Sequence, residues 1–270
     1  MRKLAIACVG CAILAGSLPA RAAERTDWSG FYLGVNAGAG WGESKFRSMT
    51  DVPLFPAFTY QDTAVPASNG NVAKTKGSDT NALGGGQFGF NWQSGNLIFG
   101  AEADYDGTGL RESAVGKATA AGGSSNPHSF FQTVNARYFA DTNWMGSLRG
   151  RLGFKQDYLM VYATGGAAFA HVRLDTSFVE VDASSIGGAV SILTTKDSKF
   201  QVGWTVGAGG EWALNNAWSL AAEYRFSNFG YQTDDAGIAH AAFASSPRLS
   251  SKMKLTVDQV TIRLNYRIGA

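Results

Sequence analysis

Cysteine is nearly absent. The two thiols, Cys8 and Cys11, lie in the first eleven residues of a 270-residue chain, in a stretch that reads as a cleaved leader. The mature protein is therefore expected to have no disulfide, catalytic thiol or cysteine-based metal site. Proline is scarce, six in all, and the 34 glycines follow no three-residue period, which excludes collagen-like and proline-rich chains. Charged residues are 16% of the chain, below the roughly 25% of a soluble domain. After Leu18 no apolar run approaches the ~20 residues of a membrane helix. What is plentiful is hydrophobic: 45% of residues, with 7 Trp, 9 Tyr and 17 Phe, too apolar for a disordered chain.

Arg2 and Lys3, the apolar run 4–18 and Ala20-Arg21-Ala22 form the basic start, core and A-x-A cleavage site of a secretory signal. A lipid anchor on Cys11 fits less well, because Cys8-Val9-Gly10 lacks the leucine expected before such a cysteine. The expected division is 1–22 as signal peptide and 23–270 as one exported barrel domain. Removing Arg2, Lys3 and Arg21 from the 23 basic residues leaves 20 against 21 acidic ones, so the basic isoelectric point carries no implication of nucleic-acid binding.

Alternation with period two marks strands. Val260, Ile262, Leu264, Tyr266 and Ile268 alternate with Thr261, Arg263, Asn265 and Arg267; Trp218, Leu220, Ala222, Tyr224 and Phe226 repeat the pattern. Eight strands are expected, at 28–42, 82–93, 97–108, 142–155, 158–172, 200–213, 217–228 and 255–268. The fifth has no clean polar face. Pro53, Pro56, Pro66, Pro127 and Pro247 lie between them, as the missing ladder N–H requires. Short turns, Ser94-Gly95-Asn96, Gln156-Asp157 and Asn215-Asn216, alternate with long connections at 43–81, 109–141, 173–199 and 229–254. Short periplasmic turns and long extracellular loops are the plan of an outer-membrane barrel, and an even strand count puts both termini on the periplasmic side. The expected fold is all-β: an eight-stranded antiparallel up-and-down transmembrane β-barrel with four long extracellular loops.

A secreted lipocalin-like barrel would alternate in the same way with its faces reversed. Three features favour lipid outside. Trp41, Trp92, Trp144, Trp204, Trp212 and Trp218 share the parity of the apolar face and lie near strand ends, as two interfacial belts would; Trp28 has the opposite parity and is placed at the rim. Glu102, Asp104, Arg149, Arg151, Glu223, Arg225 and Arg263 concentrate at mid-strand on the polar face and have both signs. In a narrow lumen such charges must meet, whereas on an ordinary solvated face nothing would hold them to one level. Strand neighbours then bring Glu102 and Asp104 near Arg149 and Arg151, and Glu223 near Arg263; Lys155, Glu211 and Arg267 also point inward. The inward glycines of strand one, Gly30, Gly34, Gly38, Gly40 and Gly42, leave room for long arginines or relieve barrel curvature.

The start Asp27-Trp28-Ser29-Gly30-Phe31-Tyr32-Leu33-Gly34, the run Gly86-Gln87-Phe88-Gly89-Phe90-Asn91-Trp92, Gly150-Arg151-Leu152-Gly153, Tyr162-Ala163-Thr164-Gly165-Gly166 and the end Leu264-Asn265-Tyr266-Arg267 resemble the small opacity-like outer-membrane barrels of alphaproteobacteria, the porin-family or outer-membrane immunogenic proteins. The resemblance covers all eight strands. It implies a cell-surface protein in the outer membrane, in contact with its lipid and lipopolysaccharide and inserted by the barrel assembly machinery. Leu264, Tyr266 and Ile268 then fall at the assembly signal. Family members usually end on an aromatic residue, where this chain has Ile268 followed by Gly269-Ala270, so that either the assembly signal is weaker or Tyr266 serves as its main aromatic. Some members are described as haemin-binding or as porins.

Three function classes stay in play beside a passive surface scaffold that contacts a host or phage partner through its loops. An enzyme needs a nucleophile beside a base, and His128, His171 and His240 sit in no recognisable catalytic motif. A diffusion porin is hard to fit into eight strands, whose interior is just wide enough for side chains. A haemin or ligand receptor would draw on those same three histidines, which also read as ordinary loop residues. No cofactor and no metal is expected.

Overall fold

A computed structural model describes residues 27–50, 71–122, 130–184, 187–237 and 248–268. Eight strands run in chain order: β1 (Gly30–Thr50), β2 (Asn71–Ser94), β3 (Leu97–Gly122), β4 (Phe130–Gln156), β5 (Leu159–Ser184), β6 (Gly187–Ala213), β7 (Trp218–Gly237) and β8 (Arg248–Arg267). Each pairs antiparallel with the next, and β8 returns to β1, with Val35 opposite Leu264, to close the barrel. Closure leaves no free sheet edge in the zone it covers.

The three short turns lie at one end. Gly95 and Asp157 adopt positive φ of 62° and 54°, as tight hairpin turns require. In the third, the Asn215 side chain accepts from the backbone of Ala217 and Trp218 at 2.8 Å each, which is the reason an asparagine suits that turn.

The strands are 20 to 27 residues long, whereas about 9–11 residues cross a bilayer. About half or more of each strand therefore projects beyond the membrane, at the end away from the short turns. Most of the residues expected in long loops are paired strand: 43–50, 71–81, 109–122, 130–141, 173–184, 187–199, 229–237 and 248–254. That leaves 51–70, 123–129, 185–186 and 238–247 between the strands, outside the described residues together with residues 1–26, on which the expected signal peptide falls, and the five prolines named above.

The projecting part is not a closed barrel. The β2–β3 ladder runs no further than Leu83 opposite Thr108, and the β6–β7 ladder stops at Trp204 opposite Asn228. Above those points, among the described residues, pairing continues only within two groups, β7-β8-β1-β2 and β3-β4-β5-β6. The barrel thus opens into two four-stranded sheets facing each other. Register shifts at Gly107/Leu110, Thr142/Trp144 and Asn228/Tyr231 fall at the same height. Gly230, with φ of +71°, supplies the left-handed residue of the last of these bulges. Side chains bridge the seams: Asn81 donates to the Gly109 carbonyl at 2.5 Å, Asp79 accepts from the Arg111 amide at 2.8 Å, and Lys199 donates to the Thr233 carbonyl at 3.2 Å.

Candidate functional site

In the closed half of the barrel the inward positions carry charge. Arg149 on β4, 1% exposed, sits at the centre. Its Nη2 pairs with Glu102 and, at 2.9 Å, with Asp104; its Nη1 crosses the lumen to Glu223 at 2.6 Å and also donates to Thr164 on the neighbouring β5 at 3.0 Å. Arg263 bridges Glu102 at 2.9 Å and Glu223 at 3.0 Å, and Arg225 holds Asp104 at 2.7 Å and Asp106 at 2.6 Å. Tyr32 donates to Glu102 at 2.6 Å and Tyr162 to Glu223 at 3.1 Å. Buried ions of both signs are tolerable only when paired and hydrogen-bonded, and each carboxylate here meets a guanidinium.

The structure refines three expectations. Arg151 makes its ion pair with Glu211 and lies 3.8 Å from the Tyr162 ring centre, because it sits two residues nearer the turns, at the height of Glu211; it reaches Glu102 only through the Tyr32 hydroxyl, 3.4 Å from its Nη1. Trp28 lies at the turn-end rim as expected, but it points inward: it is 1% exposed, among Ile98, Met160 and Ala213, and stoppers that end of the lumen, with the Arg267 guanidinium 4.8 Å from its ring centre. The strand-one glycines do not make space for arginines: a Cβ at Gly34 would meet the Asn265 and Gln87 amides, at Gly38 the Val260 carbonyl, and at Gly42 the Glu112 carboxylate. Asp106, Tyr32 and Tyr162 were missed. Asp106 shares the parity of Glu102 and Asp104, so the alternation already contained it.

Above this layer the polarity inverts. Inward positions become apolar: Phe46, Met253, Leu255, Val257 and Phe229 on one sheet face Leu110, Tyr138, Ala140, Val172 and Leu174 on the other. Phe46 and Tyr138 stack across the gap with ring centres 4.8 Å apart. Outward positions become charged, Lys45, Arg47, Lys76, Arg111, Arg137 and Arg173 among them. Along β8 the switch is plain. Gln259, Thr261 and Arg263 point in below, Val257, Leu255 and Met253 above; Val260, Ile262 and Leu264 point out below, Lys254 and Lys252 above. A wall surrounded by lipid needs an apolar outside, and one surrounded by water needs an apolar inside. Glu112 is the exception. It is 3% exposed and neither oxygen has a hydrogen-bond partner among the described residues. Burial pushes its carboxyl up to about 7; the nearby Ser44 opposes the rise, and the like charges of Asp79 and Glu43 add smaller amounts to it.

The inversion coincides with an aromatic belt on the outer wall. Trp41 and Trp204 are 36% and 50% exposed, and Trp144 packs against Tyr105, Phe200 and His171. Near the short turns Trp92 pairs with Phe99, Trp212 with Tyr158, and Trp218 with Tyr266. On β6 the belts are eight residues apart, about 27 Å of strand, or roughly 20 Å of height at the usual tilt. Between them lie Leu33, Val35, Phe88, Leu148, Leu152, Val161, Val206 and Ile262, all exposed. Leu264, Tyr266 and Ile268 face outward at the turn end of β8.

Among the described residues no group of His, Asp and Glu could hold a metal ion. His171 stands on the outer wall, hydrogen-bonded through Nε2 to the Ser198 hydroxyl at 2.9 Å; His128 and His240 lie outside the described residues. Ser147 donates to Asp104 inside the arginine network.

The outer membrane protein β-barrel domain family matches residues 10–267. The 31 kDa outer-membrane immunogenic protein of Brucella melitensis is 33% identical over 242 residues, 89% of this chain and 83% of the relative. The 22 kDa outer membrane protein of Rhizobium leguminosarum is 28% identical over 197 residues, 72% of this chain and 75% of the relative. Among solved structures, the outer membrane protein OprG of Pseudomonas aeruginosa matches with a TM-score of 0.49 at 11% identity, over 90% of this chain and 97% of that one.

Proposed function

The chain belongs to the outer membrane β-barrel domain family, at home in the Gram-negative outer membrane, and on that premise we propose that it is a closed, non-enzymatic surface scaffold whose loop ends make contacts outside the cell. The observation that carries this reading is the filled interior: the Arg149 network below and the Phe46–Tyr138 packing above lie one after the other on the path a solute would take. Eight strands leave no spare bore around them. A porin would need both layers displaced.

The two tall sheets then act as a stalk whose far strand ends, from which the connections spring, stand clear of the lipid. A host or phage partner would meet those connections first. The outward Leu264, Tyr266 and Ile268 are the residues through which the barrel assembly machinery would recognise the chain. Against an enzyme stands the setting of the Ser198–His171 contact: no carboxylate orients the imidazole among the described residues, as acyl-transfer chemistry would require.

Proteoliposomes test the proposal. Swelling in an isotonic pentose solution is expected to match that of empty liposomes, and a fluorophosphonate probe is expected to leave Ser198 unlabelled. Rapid swelling would replace the scaffold with a porin; stoichiometric labelling of Ser198 would replace it with a hydrolase.

A further inference from the structure

The two seams between the sheets are not equivalent. Along β2–β3 short side chains take the place of ladder bonds: Asn81 reaches the Gly109 carbonyl at 2.5 Å and Asp79 the Arg111 amide at 2.8 Å. Gly77 lets the strands draw together, since a Cβ there would stand 3.3 Å from the Ser113 carbonyl. Along β6–β7 the strands touch at the foot, where a Cβ on Gly203 would run into the Asn228 carbonyl. The Gly230 bulge follows, and above it Lys199 crosses the gap with the length of its side chain to reach the Thr233 carbonyl at 3.2 Å.

The inner wall beside this second gap is polar. Among the described residues the apolar core draws on β1, β3, β4, β5, β7 and β8. The inward positions of β6 next to Val172 and Leu174 are Lys199 and Asp197, half-buried and paired at 2.5 Å. A strand sealed against its neighbour over an apolar core would carry apolar residues inward there, as β5 does. The β6–β7 gap is therefore a water-lined slot with an open strand edge on each side, β6 above Gly203 and β7 from Tyr231 to Gly237. Such edges take up extended peptides through main-chain hydrogen bonds.

Chain lengths narrow the occupant. The connection 185–186 is two residues, and 238–247 is ten residues held at Gly237 and Arg248. Running down the slot along Tyr231–Gly237 and back takes about 40 Å and a turn, more than ten residues reach, at most about 36 Å. The connections 51–70 and 123–129 join strands at the opposite edges of the two sheets. A second copy would bring a whole barrel, which a slot walled on both sides does not admit. Side chains sort what remains. On the outer face Phe200 and Tyr231, 58% and 72% exposed, stand on either side of the slot near its foot; on the inner face stand Lys199 and Asp197. An inserted strand alternates, so it sets an aromatic or apolar residue outward between the two rings and polar residues inward.

We propose that the β6–β7 slot binds an extended peptide segment of another molecule by strand addition, with an aromatic residue between Phe200 and Tyr231 and polar residues facing Asp197 and Lys199. Because β6 and β7 are antiparallel, the guest runs antiparallel to one edge and parallel to the other. Its main chain takes the place of the Lys199 ammonium at the Thr233 carbonyl. Recognition is of backbone and alternation rather than of one sequence, and it lies on the flank of the stalk rather than at its loops. The site goes beyond the scaffold reading and stands whether or not the lumen conducts.

The full-length folded protein in detergent is titrated with a fluorescein-labelled heptapeptide that alternates threonine with valine and carries phenylalanine at one outward position. Fluorescence anisotropy should show saturable binding, weakened about tenfold or more when alternate amides of the peptide are N-methylated, the loss of two or three main-chain hydrogen bonds. Cysteine pairs locate the site. Cys8 and Cys11 lie in the expected leader, and Ser198, Thr233, Ser78 and Ser113 are all exposed. S198C/T233C, joined across the slot by a cleavable bismaleimide, should bind about tenfold more weakly than the same protein after the linker is cleaved. S78C/S113C, joined across the other seam, should stay within about twofold of the unmutated protein. Joined and cleaved forms are one folded chain, so misfolding cannot imitate the difference. Absence of saturable binding, or equal binding of the N-methylated peptide, would overturn strand addition. Equal binding before and after cleavage of the 198–233 linker would overturn the slot as the site, and an equal loss in joined S78C/S113C would overturn the distinction between the seams.

Discussion

The two storeys of this molecule solve the same packing problem with opposite chemistry. In the membrane-spanning storey eight complete ladders enclose arginines and carboxylates; above the upper tryptophan belt two sheets enclose Phe46, Tyr138, Leu174 and Leu255. What changes at the boundary is the solvent outside. Lipid claims the apolar side chains below, so the interior receives the polar ones and must pair every ion. Water claims the charged side chains above, so the interior becomes an ordinary apolar core. The ladders follow suit. An unpaired strand edge is prohibitive in lipid and tolerable in water, and both seams, β2–β3 and β6–β7, open only above the belt.

The largest effect is expected from breaking the lower storey. Arg149→Ala leaves Glu102, Asp104 and Glu223 short of a shared partner and should destabilise the protein by about 3–5 kcal/mol, the usual consequence of breaking a buried ion pair from one side. Thermal unfolding in detergent, followed by gel mobility, would reveal the whole barrel unfolding at lower temperature. A loss below about 1 kcal/mol, the scale of an exposed pair, would show that the network is solvated and the two storeys are more alike than described.

The upper storey should fail more locally. Phe46→Ala removes half of the stacked pair and is expected to remove about 3 kcal/mol from the sheet-on-sheet packing. The seams allow the stalk to loosen while the barrel stays closed. Limited proteolysis should then cut within the projecting strands at a barrel melting temperature close to that of the unmutated protein. A fall in melting temperature as large as that of Arg149→Ala would show that the storeys unfold as one unit.

The smallest effect sharpens the contrast through pH. The Glu112 carboxyl is raised in the folded state, so the folded protein holds a proton that the unfolded chain releases. Stability contributed by the neutral form is present below the unfolded value near 4.5 and declines as pH rises towards about 7. The decline is of order 1–3 kcal/mol. Glu112→Gln should remove this slope and leave the stalk at pH 8 as resistant to protease as at pH 5. A stalk whose resistance rises with pH in the unmutated protein would contradict the burial of Glu112.

These same two storeys divide what could be read from the sequence. The lower one was legible because a lipid-facing strand must alternate, and Val260 to Ile268 do so without a break. The upper one was not, for two reasons. Its inward residues on β5, Ala168, Ala170, Val172 and Leu174, have the same character as the lipid-facing ones below, and lower on the same strand the inward Met160 and Tyr162 are largely apolar too, which is why that strand showed no polar face. Its segments, rich in Gly, Ala, Ser, Lys and Asp, have low intrinsic strand propensity and read as loop; pairing with a neighbour that continues in register overrides propensity, and register cannot be seen one strand at a time. The partners of the lumen charges were half legible. Neighbouring strands located Glu102 against Arg149, but the contacts from Arg149 to Glu223 and from Arg225 to Asp104 cross the lumen, and strand order does not specify distances across a barrel.

Planar-bilayer recording tests most directly whether the two fillings are closures in series. The unmutated protein, Arg149→Ala and Phe46→Ala should each give no stable current, since one filling remains in every case, and the double variant should conduct in discrete steps. Stable, ohmic steps from the unmutated protein would contradict the account, as would steps from Arg149→Ala alone.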